Sequence, residues 1–205
     1  MKITIVIFDE FTDIDLFLMW DLLNRVRLSD WEVRIVGDKS HHISTTGLTT
    51  ATHGPLEEAN DADVVLFVSG LGTRTKMRDE LWLSRFNLNP KKQMIASVCS
   101  GALLLAALGL LAEKTATTYP TTKQELEGFG ITVEEKPFIA HGNVATSGGC
   151  LAAQYVVGWV LERKADNAWK DLVLKSIQPV GEGLKFSDAT ELVKLYARPA
   201  TANAI

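Results

Sequence analysis

Apolar residues fall along the chain in short blocks at two spacings. Ile3 to Phe8, Trp31 to Val36, Val64 to Val68 and Met94 to Val98 are brief runs rich in Val or Ile. Three of them barely alternate with polar residues, the pattern of strands covered on both faces in a parallel sheet. Glu32 and Arg34 break the run Trp31 to Val36, so that strand is predicted to be half exposed. Helical spacing predicts helices over Asp13 to Val26, Arg74 to Asn87, Gly101 to Leu111 and Cys150 to Arg163. Strands alternating with helices predict an α/β fold with a doubly wound, mostly parallel sheet sandwiched by helices. His41 to Thr52, with its Thr residues around Gly47, reads as a peripheral β-hairpin. Phe138 to Ala140, His141 to Asn143 and Val144 to Thr146 read as strand, turn and strand. In the tail, helices are predicted over Ala168 to Ile177 and Ser187 to Tyr196, with a frayed end from Pro199 to Ile205.

One stretch changes meaning on closer reading. Ile95 to Ala112 carries no charge and reaches membrane-spanning length marginally. Ser97, Cys99, Ser100 and Gly101 interrupt it early, so a buried strand, a tight turn and a buried helix account for it better. With 205 residues, 46% of them apolar and 22% charged, the chain can bury a sizeable core. We read it as one domain over residues 1–205, with a core of about 1–175 and a C-terminal extension over 176–205. The formal charge of −4 offers no electrostatic footprint for nucleic acid or for an anionic membrane surface. The charge-balanced tail is also too short for a paired helix-turn-helix module. Two cysteines exclude a disulfide framework and point to a reducing compartment, the cytoplasm. The N-terminal apolar run is too short for a signal-peptide core. His41, His42, His53 and His141 form no metal-ligand pattern and each reads as a surface or turn residue, so no metal or cofactor is expected.

The candidate chemistry gathers at Ile95-Ala96-Ser97-Val98-Cys99-Ser100-Gly101-Ala102-Leu103. A strand that ends in a turn of small residues and re-enters as a helix is the layout of a nucleophile elbow. Cys99 then faces the start of a helix, which favours the thiolate. The competing reading is a buried structural cysteine. Cys150 opens another apolar helix after Gly148-Gly149, has no charged residue close in sequence, and reads as core. Asp15 heads an apolar helical stripe with Leu18, Met19, Leu22, Leu23 and Val26, whereas Asp13 lies off it. A carboxyl group on such a face should hold its proton to higher pH and be able to donate it. The alternative is an aspartate that simply favours the helix N-terminus.

Ser97-Val98-Cys99-Ser100-Gly101-Ala102, Ala107 to Leu111, Ala116-Thr117-Thr118-Tyr119 and Gly142 to Gly149 together resemble the ThiJ/PfpI superfamily. The resemblance spans roughly residues 3 to 175 and implies the flavodoxin-like fold of the class I glutamine amidotransferases. It is most similar to the isonitrile hydratase branch, where an acidic residue sits against the elbow cysteine. That implies Cys99 as nucleophile and Asp15 as the acid within hydrogen-bond reach of it, with Asp21 in the hydratase-like form of the motif. Ser69-Gly70-Leu71-Gly72 resembles the family's glycine-rich oxyanion loop, so the amides of Gly70, Leu71 and Ser100 are the candidate oxyanion donors. Ser100 also offers a hydroxyl where the hydratases carry Thr. Tyr119, a pocket candidate, replaces a histidine common in the family, which disfavours a protease-like Cys–His pair. The resemblance thus implies hydration of an isonitrile to an N-substituted formamide. The alternatives are a glyoxalase, deglycase or amidase acting on small carbonyl compounds, and a non-enzymatic redox or ligand sensor. It also implies a homodimer, for which Phe17 and Trp20 are the exposed apolar candidates.

Overall fold

The structure is a computed structural model that describes residues 1–190. In chain order the strands are β1 (Lys2–Val6), β2 (Glu32–Gly37), β3 (His41–Ile43), β4 (Thr49–Ala51), β5 (Gly54–Pro55) and β6 (Val64–Phe67). They continue with β7 (Met94–Val98), β8 (Thr115–Ala116), β9 (Thr132–Val133), β10 (Phe138–His141) and β11 (Val144–Ser147). The helices are α1 (Asp13–Leu23), α2 (Thr73–Lys76), α3 (Glu80–Leu83), α4 (Ala102–Ala107), α5 (Lys123–Glu127), α6 (Ala153–Lys164) and α7 (Asn167–Lys175).

Seven strands form one sheet in the order β10-β11-β7-β6-β1-β2-β5. Every neighbouring pair in it is parallel except β10 with β11. The unalternating runs occupy its centre. β6 and β7 are buried at every position, and β1 at all but its first. β2 is less open than its charges suggested: Glu32 is exposed and Arg34 half-buried, donating to Glu58 at 2.6 Å, while its other four residues are buried. The interior joins Ile3, Ile5 and Phe67 of the sheet to Leu16, Met19 and Leu22 of α1, Leu103 to Leu105 of α4, and Val156, Val157 and Val160 of α6. Each such side chain contributes about 1.5–3 kcal/mol by leaving water. The hairpin is the β3–β4 pair, and the strand-turn-strand segment is β10–β11.

Several elements differ from the periodicity. The helix expected over Arg74 to Asn87 is two short helices. Asp79 adopts an extended conformation between them and its side chain accepts from Trp82 N at 3.0 Å, starting the second as an N-cap. The helix expected to reach Leu111 ends at Ala107. Gly109 takes φ +71° there, and Leu110 N donates to Leu105 O at 2.9 Å, a glycine-terminated helix end. The first tail helix is α7, and residues 186–190 are helical. The rest of the second tail helix and the end from Pro199 to Ile205 lie outside the described residues.

His42 and Trp20 overturn their surface assignments. The His42 ring is fully buried, with Nδ1 2.9 Å from Asp9 Oδ1 and Nε2 3.3 Å from Asp38 Oδ1. Trp20 is half-buried and stacks on the His53 ring at 5.2 Å, whereas Phe17 stays exposed as expected. Among the described residues, no helix is long and apolar enough to cross a membrane.

Candidate active site

Parallel strands deliver their carboxyl ends to one side of a sheet, and the connections there can converge on a ligand. Four segments meet at that side. β1 leads through Thr12 into α1 and Asp15, β6 leads into Ser69 and Gly70, β7 leads into Cys99, and β11 leads into Cys150.

Cys99 occupies the elbow. Val98 is extended, Cys99 takes φ +54°, Cys99–Gly101 form one tight helical turn, and α4 follows. A non-glycine residue in the left-handed region costs about 1–2 kcal/mol, so the surroundings must hold it there. Thr118 Oγ1 donates to Cys99 O at 2.8 Å. A Cβ at Gly101 would lie 2.7 Å from Val68 O, so only glycine lets the turn seat against the end of β6. The Cys99 thiol is held below its ordinary value. The first cause is the Cys150 thiol, which donates to it; burial works against the shift, while Ser69 and the Ser100 amide support it.

Asp15 is fully buried, as its place on the apolar stripe required. Ser69 N donates to its Oδ2 at 3.0 Å, and its Oδ1 is buried without a hydrogen-bond partner. Burial pushes this carboxyl up, against the lowering influence of bonds from Ser69 and Cys150. An orphaned oxygen in that setting is the natural seat of a proton. Asp21 does not join the site; it is exposed and pairs with Arg25 at 2.6 Å.

Cys150 is the residue the sequence reading misplaced. It is half-buried rather than core, and its thiol interacts with both Cys99 and Asp15. Its own pKa is pushed far up, first by the bond to Cys99, then by burial and by the Asp15 charge. No hydrogen bond of the kind expected from sequence joins Asp15 directly to Cys99 among the described residues; Cys150 and Ser69 stand between them, and Asp15, when ionised, would push the Cys99 thiol up. Ser69 was also passed over as a side chain; its hydroxyl donates to Thr12 Oγ1 at 3.1 Å.

Gly70, Leu71, Ser100 and Tyr119 line one cavity of about 180 Å³ with Cys99, Thr12, Thr45 and Arg74. Gly70 N is engaged by Ser100 Oγ at 3.3 Å, and that hydroxyl lies 3.2 Å from Thr73 Oγ1. The Ser100 amide faces the Cys99 sulfur. Arg74 is tied to Glu125, with Nε 2.8 Å from Oε1. Tyr119, half exposed, stands at the rim where an imidazole would have offered a base. Among the described residues, no group of three or more His, Cys, Asp or Glu is placed to hold a metal ion.

Comparison with known proteins agrees with this geometry. Residues 1–162 match the DJ-1/PfpI family. An isonitrile hydratase of Pseudomonas putida is 30% identical over 154 residues, covering 74% of this chain and 67% of that protein. Among solved structures, Schizosaccharomyces pombe DJ-1 superposes with a TM-score of 0.76 at 19% identity, covering 88% of this chain and all of its own. A ThiJ/PfpI family protein from Pseudomonas syringae superposes with a TM-score of 0.78 at 21% identity, covering 95% of this chain and 86% of that one. At such identities the structural likenesses speak for the fold.

Proposed function

The chain belongs to the DJ-1/PfpI family, and from that premise we propose that it is a cysteine-dependent hydratase whose substrates are small isonitriles, R–N≡C. The observation that carries this reading is Cys99 held at φ +54° in an elbow that opens onto the cavity of about 180 Å³, with the fully buried Asp15 at the same side of the sheet; the thiol is held below its ordinary value and the carboxyl above its own. The thiolate adds to the terminal carbon of the isonitrile. Asp15 supplies a proton to that carbon, directly or through Cys150, giving a thioimidate, S–CH=N–R. Water adds to the same carbon, its protons passing to the nitrogen and back to Asp15. The C–S bond then breaks, releasing the formamide R–NH–CHO and restoring the thiolate. The roles of Asp15 and Cys99 are those of general acid and nucleophile. The Leu71 and Ser100 amides serve the charge that develops on the substrate, and Gly70 takes part once Ser100 Oγ releases its amide. Tyr119 bounds the space for R. Free thiols at both positions suit a reducing compartment such as the cytoplasm.

The test is a substrate panel of alkyl and aryl isonitriles, methylglyoxal and small amides, assayed on reduced wild type, Cys99→Ala and Asp15→Asn. Formamide production lost in Cys99→Ala supports the reading. Turnover of methylglyoxal or amides alone replaces it with the glyoxalase or amidase alternative.

We further propose that the protein is a homodimer joined through α1 and the start of α6. Ile14, Phe17, Leu151 and Tyr155 are exposed on these adjoining elements.

A further inference from the structure

The cavity that Cys99 opens onto has a wall made mostly of hydroxyl-bearing residues, among them Thr12, Thr45, Thr121 and Thr122. Arg74 is the one charged side chain among the residues that line it. The turn after β6 puts it there. A Cβ at Gly72 would lie 2.0 Å from Asp9 O, so the chain passes close by the end of β1 and enters α2 at once. Thr73 is fully buried, with Oγ1 3.2 Å from Ser100 Oγ. Arg74, one residue on, is turned by about 100° from Thr73 and reaches the cavity instead of the core.

Glu125 holds the guanidinium in place. Nε donates to Oε1 at 2.8 Å and to Oε2 at 3.0 Å, and Nη2 lies 2.5 Å from Oε1. Glu125 belongs to α5, whose entry segment gives the cavity Tyr119, Thr121 and Thr122, yet Glu125 does not line the cavity itself. Nη1 makes no hydrogen bond or ion pair among the described residues. The pair thus fixes a side chain that borders the cavity and leaves two N–H donors unspent.

We propose that Arg74 is a specificity-determining residue that binds a carboxylate on the substrate, so that the isonitriles taken are isocyano acids, ⁻OOC–R′–N≡C. The isonitrile group rests on the hydratase reading; the carboxylate rests on Arg74. A guanidinium matches a carboxylate in shape as well as charge. A carboxylate on the Nη1 edge has the cation between itself and Glu125, so attraction outweighs repulsion. The hydroxyls of Tyr119 and Thr121, which make no hydrogen bond among the described residues, are further donors on the same wall. A cavity of about 180 Å³ has the volume of about six waters, which keeps R′ short. Water adds at the isonitrile carbon as before, the carboxylate is unchanged, and the product is an N-formyl amino acid.

Alkylation tests the recognition without any isonitrile. Iodoacetate and iodoacetamide differ by one charge and both lose iodide to a thiolate, so the ratio of their rates at Cys99, read from its peptide, is independent of the thiolate fraction. The reference is the same ratio for N-acetylcysteine amide, a free thiol without charge. In full-length reduced wild type the ratio should exceed the reference by about tenfold to a hundredfold, the scale of a charge-assisted hydrogen bond. Glu125→Gln, which leaves the guanidinium unpaired, should keep that excess. Arg74→Gln combined with Glu125→Gln removes both charges together and should abolish it, so the loss does not come from an uncovered Glu125. Wild type should also hydrate isocyanoacetate in preference to its methyl ester, and the double variant should lose that preference through KM. A wild-type ratio equal to the reference, a ratio unmoved in the double variant, or a preference for the ester would overturn the proposal. The wild-type ratio decides even if the variants fold poorly. A raised ratio with neither isonitrile turned over removes the hydratase reading and leaves carboxylate recognition by Arg74 standing. Turnover of both isonitriles without preference, with a ratio at the reference, does the reverse.

Discussion

Asp15 shows how one side chain carries both a stability term and a chemical one. Its folded carboxyl keeps a proton to higher pH than the ordinary value of 3.8. The stabilisation from that proton is complete below the ordinary value and is lost as pH rises through the raised one. Asn at this position has nothing to lose. Asp15→Asn should therefore match wild type in acid and become progressively the more stable of the two toward neutral pH, as read from thermal melts across a pH series. In the proposed hydratase mechanism the same substitution removes proton delivery, so isonitrile turnover should fall by roughly two to four orders of magnitude. Asp13→Asn is the control. Asp13 lies off the site and accepts from Thr46 Oγ1 at 2.9 Å. Cys150 gives a separate handle on Cys99. Its thiol is the first cause of the lowered Cys99 value, so Cys150→Ala should move the pH profile of Cys99 alkylation upward, toward the ordinary thiol value of 9.0. An unmoved profile would mean that Ser69 and the Ser100 amide suffice. Asp15 and Cys99 were legible in the sequence because each is marked locally, one by a helical stripe and the other by small residues around a turn. Cys150 was not, because its partners come from another strand and another helix. The one local signal was that it, too, follows a buried strand and small residues into a helix.

At the scale of elements, two glycines bracket α4 and test different physics. Gly101→Ala places a Cβ 2.7 Å from the Val68 carbonyl, so the turn beneath Cys99 must shift against β6. A cost of about 1–3 kcal/mol is expected from overpacking, together with a loss of Cys99 reactivity. Gly109→Ala meets nothing within 4 Å and is strained only by its φ of +71°. Its cost should be about 1–2 kcal/mol, with Cys99 reactivity unchanged. Urea midpoints and alkylation rates on the two variants separate these effects; equal loss of reactivity in both would detach the elbow's geometry from its packing. The central strands were readable because burial on two faces leaves unbroken apolar runs; α1 is apolar nearly all round, so its stripe foretold Asp15, Met19, Leu22 and Leu23 inside but not Leu16. The stretch over Arg74 to Asn87 was not readable. Its apolar spacing survives the break, since Met77, Trp82 and Phe86 all pack inward, while Asp79 ends one helix and caps the next. A capping aspartate and a helical aspartate look alike until the backbone is seen.

The whole molecule adds what no single element contains. The strand order cannot be read from spacing, yet it brings the ends of β1, β6, β7 and β11 to one side and so assembles Asp15, Ser69, Cys99 and Cys150. It also decides which apolar side chains remain outside. Trp20 was expected at a subunit surface, but the hairpin region brings His53 beneath it and the ring is covered within the chain. Phe17 has no such cover. With Ile14 one turn earlier on α1, and Leu151 and Tyr155 at the start of α6, it leaves exposed apolar area beside the Cys150 turn. Exposed apolar side chains gathered on adjoining elements favour a partner surface. A two-fold axis through it would let the same patch serve both copies, with a stable interface needing about 1,200–2,000 Å² in total. Light scattering at micromolar concentration should thus give twice the chain mass. Phe17→Asp, which places a charge at the centre of the patch on both copies, should shift the population to monomer while leaving the fold intact by circular dichroism. A wild-type monomer under those conditions would dismiss the dimer, and a dimer that survives Phe17→Asp would move its interface away from α1.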